Sequence, residues 1–190
     1  MHKIFIISGP TGVGKTTIAK ELFKLIPDLK PSTTYSTRPP RPSAIEDKII
    51  IHISVEEFKS KIEKNEFLEY AEVHRNFYGT AKKETLDALK NHPILCNIDV
   101  IGADQIKKEF PGQCITIFIL PESVDQLIKH VKKRGDVSEG ELLIRLQTAE
   151  KEIEKSKSFD HTIINEEGKI KKTIHHIKNI IEQNLKIDSK

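Results

Sequence analysis

Eight consecutive residues near the N-terminus have the types and spacing of a phosphate-binding loop. Residues 9–16 read G-P-T-G-V-G-K-T and match the pattern G-x-x-x-x-G-K-[ST]. Glycines at these positions allow a tight turn whose backbone amides point at phosphate oxygens. Lys15 is expected to reach the β- and γ-phosphates, and the Thr16 hydroxyl to ligate Mg²⁺. The pattern predicts a site for a nucleoside triphosphate with magnesium.

The segments on either side of the loop support this interpretation. The apolar run of residues 3–8 predicts a buried strand before the loop, and the apolar spacing of residues 17–26 predicts a helix after it. A helix N-terminus adds a partial positive charge beside bound phosphates. The loop alone does not select a reaction, because ATPases, GTPases and small-molecule kinases all carry it.

Six further segments resemble, in the same order along the chain, motifs of the guanylate kinase family. Several motifs in one order are far more specific than the loop alone. The segments are residues 36–42 (STRPPRP), 65–73 (NEFLEYAEV), 76–80 (NFYGT), 97–103 (NIDVIGA), 133–139 (KRGDVSE) and 163–167 (IINEE). The corresponding family patterns are T-T-R-x-P-R, F-L-E-W-A-x-V, N-Y-Y-G-T, D-I-D-x-Q-G-A, R-G-T-x-S-E-E and V-V-N-D-D.

The resemblance implies that GMP is the phosphoryl acceptor. Arg38 and Arg41 flank a stiff proline pair, and guanidinium forks suit a phosphate dianion. Glu69 can accept hydrogen bonds from the N1 and N2 donors of guanine, which adenine lacks at that edge. Asp99 follows an apolar strand, where open α/β sheets bind ligands. The residues implied for GMP binding are Thr34, Arg38, Arg41, Glu69, Tyr78, Thr80 and Asp99.

On the donor side the resemblance implies ATP, with Mg²⁺ as cofactor. Arg134 and Arg145 are implied to clamp the transferring phosphoryl group, and Lys15 is the third catalytic residue. Phosphoryl transfer needs mostly positioning and charge neutralisation, so no histidine is assigned as a general base. Asn165 is implied to contact adenine, although a turn cap also explains it. The residues implied for ATP binding are Gly9, Pro10, Thr11, Gly12, Val13, Gly14, Lys15, Thr16, Thr17, Arg134 and Asn165.

Four positions depart from the family patterns. Ile50 stands where the family has a tyrosine that contacts the acceptor phosphate, which predicts weaker GMP binding rather than none. Asn97 replaces the first aspartate of D-I-D, and His130 occupies a lid position where arginine is usual. Arg75 replaces a glycine, and either adds a positive charge near the acceptor or points outward. The departures affect both substrate sites and leave the catalytic efficiency open.

Guanylate kinase activity competes with three other hypotheses. A P-loop kinase with a different acceptor is disfavoured by Glu69, because AMP and UMP do not offer the same pair of donors. A guanylate-kinase-like binding module without catalysis is disfavoured by the intact loop, which such modules have typically lost. A GTPase is disfavoured because the sequence has no N-K-x-D motif.

Composition limits the other partners. The chain has 190 residues and a net charge of +3, too weak a positive charge to predict a nucleic-acid partner. Cys96 and Cys114 lie in apolar runs outside any C-x-x-C pair, which predicts core residues rather than metal or redox ligands. No apolar stretch approaches about 20 residues, so we expect no membrane partner and a cytoplasmic location. The oligomeric state stays open between monomer and homodimer.

The same sequence predicts an α/β fold, a three-layer P-loop arrangement with a parallel core sheet. Apolar runs at residues 3–8, 93–98, 114–120 and 161–164 predict buried strands, and residues 48–54 predict a strand outside this alternation. Ser54 and Ser138 each begin a predicted capping box. By resemblance, one domain of residues 1–190 divides into a core (1–31, 82–124 and 156–190), a GMP-binding part with additional strands (32–81) and a helical lid (125–155).

Overall fold

The core of the protein is a parallel five-stranded sheet. A computed structural model describes residues 2–40, 50–133 and 138–187. The core strands are β1 (Ile4–Ser8), β2 (Lys30–Pro31), β7 (Ile94–Asn97), β8 (Cys114–Pro121) and β9 (His161–Asn165), in the spatial order β2-β7-β1-β8-β9. Four of them confirm the predicted apolar runs. The sequence did not predict β2, because two residues are too few to form a pattern.

Helices connect the strands of this sheet in βα alternation, as parallel pairing requires. The helices of the described residues are α1 (Lys15–Leu25), α2 (Val55–Glu63), α3 (Lys82–Leu89), α4 (Val100–Glu109), α5 (Val124–Lys133), α6 (Glu139–Glu154) and α7 (Ile170–Ile187).

Alternate residues of β1 form the two faces of the core. Phe5 and Ile7 pack in one apolar cluster with residues of α1 and α7. Ile4 and Ile6 pack in a second cluster with residues of α3 and α4. All four side chains are fully buried, and burial of each stabilises the fold by about 1.5–3 kcal/mol. The sheet therefore lies between two helical layers, which confirms the predicted three-layer α/β fold.

A second, four-stranded sheet adjoins the core. Its order is β4 (Ile50–His52), β3 (Thr34–Ser36), β6 (Asn76–Ala81) and β5 (Phe67–Val73), with β3 parallel to β4 and the other pairs antiparallel. Phe58 of α2 stacks on Phe67 and Phe77, with ring centroids 4.5 and 5.4 Å apart. This aromatic cluster gives the small sheet an apolar face of its own. The strand predicted over residues 48–54 is confirmed at Ile50–His52.

Serine caps begin two of the helices, but the predicted capping box is complete at Ser54 and not at Ser138. Ser54 Oγ accepts from Glu57 N–H at 3.1 Å and the Glu57 carboxylate accepts from Ser54 N–H at 2.9 Å, which completes the capping box of α2. Ser138 Oγ accepts from Glu141 N–H at 3.2 Å at the start of α6. The Glu141 carboxylate accepts from Arg145 instead.

Both cysteines are buried free thiols of the core, as predicted. Burial raises the pKa of Cys96 and of Cys114 to about 12, so both stay protonated and unreactive. Across residues 2–40, 50–133 and 138–187, no helix has the length and apolarity needed to cross a bilayer.

The hairpin between β5 and β6 turns through two residues in the left-handed region. His74 has φ of 50° and Arg75 has φ of 64°. Type I′ hairpin turns need positive φ at both central positions and favour Asn-Gly, Asp-Gly or Gly-Gly there. Arg75 is exposed, which agrees with the expectation that it points outward, and its backbone carries strain that a glycine would not.

We expect Arg75→Gly to raise the free energy of unfolding by about 0.5–1 kcal/mol, since the relief of left-handed strain exceeds the added chain entropy of glycine. Urea denaturation measures the change. Arg75→Ala is the matched control, because it removes the guanidinium but keeps a Cβ. Equal stabilisation by both substitutions would assign the effect to charge rather than to backbone strain.

Candidate active site

A cavity of about 540 Å³ lies where the core sheet, the small sheet and α6 meet. Its size is typical of a small-molecule site. It opens beside the carboxyl ends of β1 and β7, where parallel sheets bind ligands. Ten of the residues predicted from the sequence line it: Gly9, Thr11, Lys15, Thr16, Thr34, Arg38, Glu69, Tyr78, Asp99 and Arg145.

The phosphate-binding loop forms one wall of the cavity. Gly9, Gly12 and Gly14 have φ of 141°, 95° and 103°, a backbone that residues with a side chain rarely adopt. Lys15 Nζ donates to the Gly9 carbonyl and, at 3.2 Å, to the Pro10 carbonyl. The ammonium is therefore held over the loop by two of the loop's own carbonyls.

Two side chains hold the loop from behind. Asn165, at the end of β9, is buried; it donates to the Val13 carbonyl at 2.9 Å and accepts from Thr173 at 2.8 Å. His130 of α5 donates from Nδ1 to the Gly12 carbonyl at 2.9 Å. Both side chains bind backbone carbonyls, so they fix the loop conformation rather than line the cavity.

Glu69 lies on the opposite wall and is 4% exposed. Thr80 Oγ1 donates to Glu69 Oε1 at 2.5 Å across the β5–β6 pair. Burial raises the pKa of Glu69 to about 7; the Thr80 hydrogen bond opposes the rise, and the nearby Asp99 carboxylate adds to it. The carboxyl is therefore near the midpoint of its titration at neutral pH.

Arg38 lines the cavity close to the small sheet. It is 8% exposed, its guanidinium donates to the Pro39 carbonyl at 2.9 Å, and His52 Nδ1 donates to the Arg38 carbonyl at 2.6 Å. Ile50 pairs with Thr34 and also lines the cavity. Ile50 therefore contributes an apolar part of the cavity wall. Arg41 lies outside the described residues.

Helix α6 closes the cavity with its inward face. Arg145 and Glu152 are seven residues apart, on one helical face, and both line the cavity. Arg145 donates to Glu141, its side chain is 15% exposed, and its buried Nε has no hydrogen-bond partner among the described residues. Arg134 lies outside the described residues.

Some predicted residues lie beside the cavity without lining it, and some lining residues were not predicted. Pro10, Gly12, Val13, Gly14, Thr17, Thr80 and Asn165 belong to the first group. Glu152 and His74 belong to the second. Burial raises the pKa of Glu152 to about 7, with Lys15 opposing and Asp99 adding to the rise. Burial and the Arg145 charge lower the pKa of His74. The sequence could have indicated Glu152 through its spacing of seven residues from Arg145, which puts both side chains on one face of a helix.

Comparison with known proteins gives the family. A profile described as guanylate kinase matches residues 1–184. This chain belongs to the guanylate kinase family. The guanylate kinase of Geobacter metallireducens is 36% identical over 180 residues, covering 94% of this chain and 87% of that protein. The guanylate kinase of Clostridioides difficile is 40% identical over 167 residues, covering 87% and 81%.

Solved structures agree with the family assignment. The guanylate kinase of Anaplasma phagocytophilum superposes with a TM-score of 0.77 at 28% identity, covering 96% of this chain and 86% of that one. The shikimate kinase of Bacteroides thetaiotaomicron has a TM-score of 0.55 at 13% identity, over 95% of this chain and 98% of that one. The second similarity shows only a shared fold. The family resemblance inferred from the sequence is confirmed.

We expect Glu69→Gln to flatten the pH dependence of stability. The folded pKa of Glu69 is about 7 and its ordinary value is 4.5, so the folded state holds a proton that the unfolded chain releases between these values. Wild-type stability therefore falls as the pH rises through this window, and glutamine removes this contribution. Urea denaturation at about pH 5 and about pH 8 measures it. If the free energy of unfolding changed equally with pH in wild type and variant, the result would contradict a raised pKa for Glu69 in the folded state.

Proposed function

We propose that this chain transfers the γ-phosphoryl group of ATP to GMP, giving ADP and GDP. The observation that carries the proposal is that Lys15 of the phosphate-binding loop, Arg38 and Glu69 line the same cavity. Their shared cavity supports the proposal that one compartment holds the triphosphate site, the contact to the acceptor phosphate and the carboxylate that binds the base. The family membership and the guanylate kinases similar over most of their length support it.

The ATP side uses the loop amides and Lys15. The backbone N–H groups of Thr11 to Thr16, in the loop and at the start of α1, bind phosphate oxygens, and Lys15 neutralises charge at the β- and γ-phosphates. Asn165 and His130 act through the loop carbonyls that they hold. Arg145 donates to the transferring group from α6, and Arg134 is proposed as its partner. These cations balance charge that spreads over the phosphoryl oxygens during transfer.

The donor atoms in the cavity fit Mg²⁺, which prefers oxygen ligands and keeps several waters. The Thr16 hydroxyl, the Asn97 amide and the carboxylates of Asp99 and Glu152 all belong to cavity-lining residues. We assign Thr16 as the protein ligand. When bound, the ion would supply positive charge that offsets the negative charge of the triphosphate. Asn97 stands where the family has an aspartate, and its amide oxygen is neutral. The negative charge near the ion would therefore come from the carboxylates of Asp99 and Glu152.

Different residues bind the guanine base and the phosphate of GMP. An ionised Glu69 accepts hydrogen bonds from N1–H and N2–H of guanine. The Thr80 hydroxyl donates to Glu69 Oε1 and so holds the carboxylate in place. Arg38 and Arg41 bind the GMP phosphate, and Thr34, Tyr78 and Asp99 complete the compartment. A phosphate oxygen of GMP attacks the γ-phosphorus as the bond to the β-phosphate oxygen breaks. The phosphate is already a nucleophile at neutral pH, so no general base is needed.

The proposal is tested by offering five nucleoside monophosphates as phosphoryl acceptors. ADP release is measured from ATP and Mg²⁺ with GMP, dGMP, AMP, CMP and UMP offered separately. Turnover confined to GMP and dGMP is the expected result. Equal turnover of AMP would contradict base reading by Glu69. No turnover with any acceptor, from protein that still binds ATP, would favour a binding module instead.

We expect Lys15→Ala to lower phosphoryl transfer by about a hundredfold or more, because a preorganised positive charge at the transferring group is lost. The GMP-dependent ADP release of the panel measures it. Lys20 also lines the cavity, from the next turn of α1. Lys20→Ala is therefore the control, because it removes one positive charge from the cavity wall but keeps the lysine of the loop. Full activity of the Lys15 variant would exclude the proposed role of the loop.

We expect Ile50→Tyr to lower the KM for GMP by about tenfold to a hundredfold, because a hydrogen bond to a charged phosphate contributes about 1.5–3 kcal/mol. Ile50 lines the cavity, whereas Ile51 is 43% exposed on the other face of β4. Ile51→Tyr is therefore the matched control, with an unchanged KM. An equal effect of both substitutions would show that the new hydroxyl does not act at the phosphate.

A further inference from the structure

The Glu69 carboxylate lies against Gly102, a residue without a side chain in the first turn of α4. A Cβ built on Gly102 would be 2.8 Å from Glu69 Cδ, 3.3 Å from Cγ and closer still to Oε2. Carbon atoms in contact prefer about 3.5–4.0 Å. Any side chain at residue 102 therefore displaces the carboxylate from its place in the cavity wall.

The backbone at Gly102 does not itself need glycine. The residue lies inside α4 and does not have a positive φ. Glycine within a helix is destabilising relative to alanine. Its N–H donates to Asp99 Oδ1 at 2.7 Å, a bond that any residue except proline supplies. What glycine alone contributes here is space for Glu69.

A second contact fixes the same helix to the same strand. Gln105, one turn further along α4, accepts from the Tyr70 N–H at 3.2 Å and donates to the Tyr70 carbonyl at 3.3 Å. Tyr70 follows Glu69 in β5, which is an edge strand whose backbone groups are open to such pairing. The separation between α4 and the backbone of Glu69 is therefore set by Gln105, and Gly102 determines what fits in it.

We infer that Gly102 is a positioning residue for guanine selection, because its missing side chain lets the Glu69 carboxylate lie between the Thr80 hydroxyl and α4 while facing the cavity. The inference rests on the proposed GMP kinase function. The carboxylate is the end of a flexible side chain, so an added methyl group moves the carboxylate more readily than it moves the helix. The predicted defect is one of recognition rather than of folding.

The test compares Gly102→Ala with wild type. We expect the KM for GMP to rise about tenfold or more, since a charged hydrogen-bond acceptor is displaced. The preference for GMP over AMP, measured as the ratio of kcat/KM values, falls by the same factor, and the KM for ATP is unchanged. Gly140→Ala is the matched control: Gly140 is an exposed glycine of α6 with no atom near its Cβ position, and its GMP kinetics stay those of wild type.

A double-mutant cycle separates positioning from general damage. In the Glu69→Ala background there is no carboxylate to displace, so Gly102→Ala leaves the KM for GMP unchanged there. A further rise in that background overturns the inference. If Gly102→Ala alone fails to fold, Glu69→Ala must restore folding, and continued unfolding overturns the inference as well.

The two proposals fail in different ways. A wild-type protein that does not phosphorylate GMP overturns the proposed function. An active wild type, with a Gly102→Ala variant whose KM for GMP and base preference are unchanged, overturns the positioning role alone.

Discussion

The parallel pairing of β1 with β7 is the constraint on which the whole cavity depends. Ile7 pairs with Asn97, so the chain leaves both strands at the same level of the sheet. The phosphate-binding loop follows β1, and α4 follows β7. Because parallel strands present their carboxyl ends at one edge, the donor loop and the helix that supports Glu69 become neighbours through sheet topology alone. Asn165 then ties the end of β9 to the same loop.

Charge in the cavity is arranged for two anionic ligands. Lys15, Arg38 and Arg145 contribute fixed positive charge. Burial raises the pKa of both Glu69 and Glu152 to about 7, so these carboxyls carry less than full negative charge at neutral pH. Repulsion between the protein and the phosphates is correspondingly smaller. Arg145 and Glu152 reach the cavity from α6, so the balance depends on where that helix lies.

The sequence predicted the core well and the small sheet less well. Long apolar runs such as Cys114–Pro121 are buried on both faces, and such burial leaves a clear pattern. Thr34–Ser36 has three residues of mixed burial, and no periodicity is readable at that length. Among the residues of the candidate site, Lys15 and Glu69 were both predicted from the sequence, and both line the cavity. The support from Gly102 and Gln105 depends on the packing of α4 against β5, a contact between segments distant in sequence.

Under the proposed function, the raised pKa of the buried Glu69 makes GMP binding a proton-linked equilibrium. In the proposed site the N1–H and N2–H groups of guanine donate to the ionised carboxylate, so GMP binding near or below pH 7 would release part of a proton to the solvent. A calorimetric enthalpy of GMP binding therefore contains the ionisation heat of the buffer and changes from one buffer to another. An affinity measured at a single pH combines the intrinsic contact energy with the free energy of deprotonating one side chain.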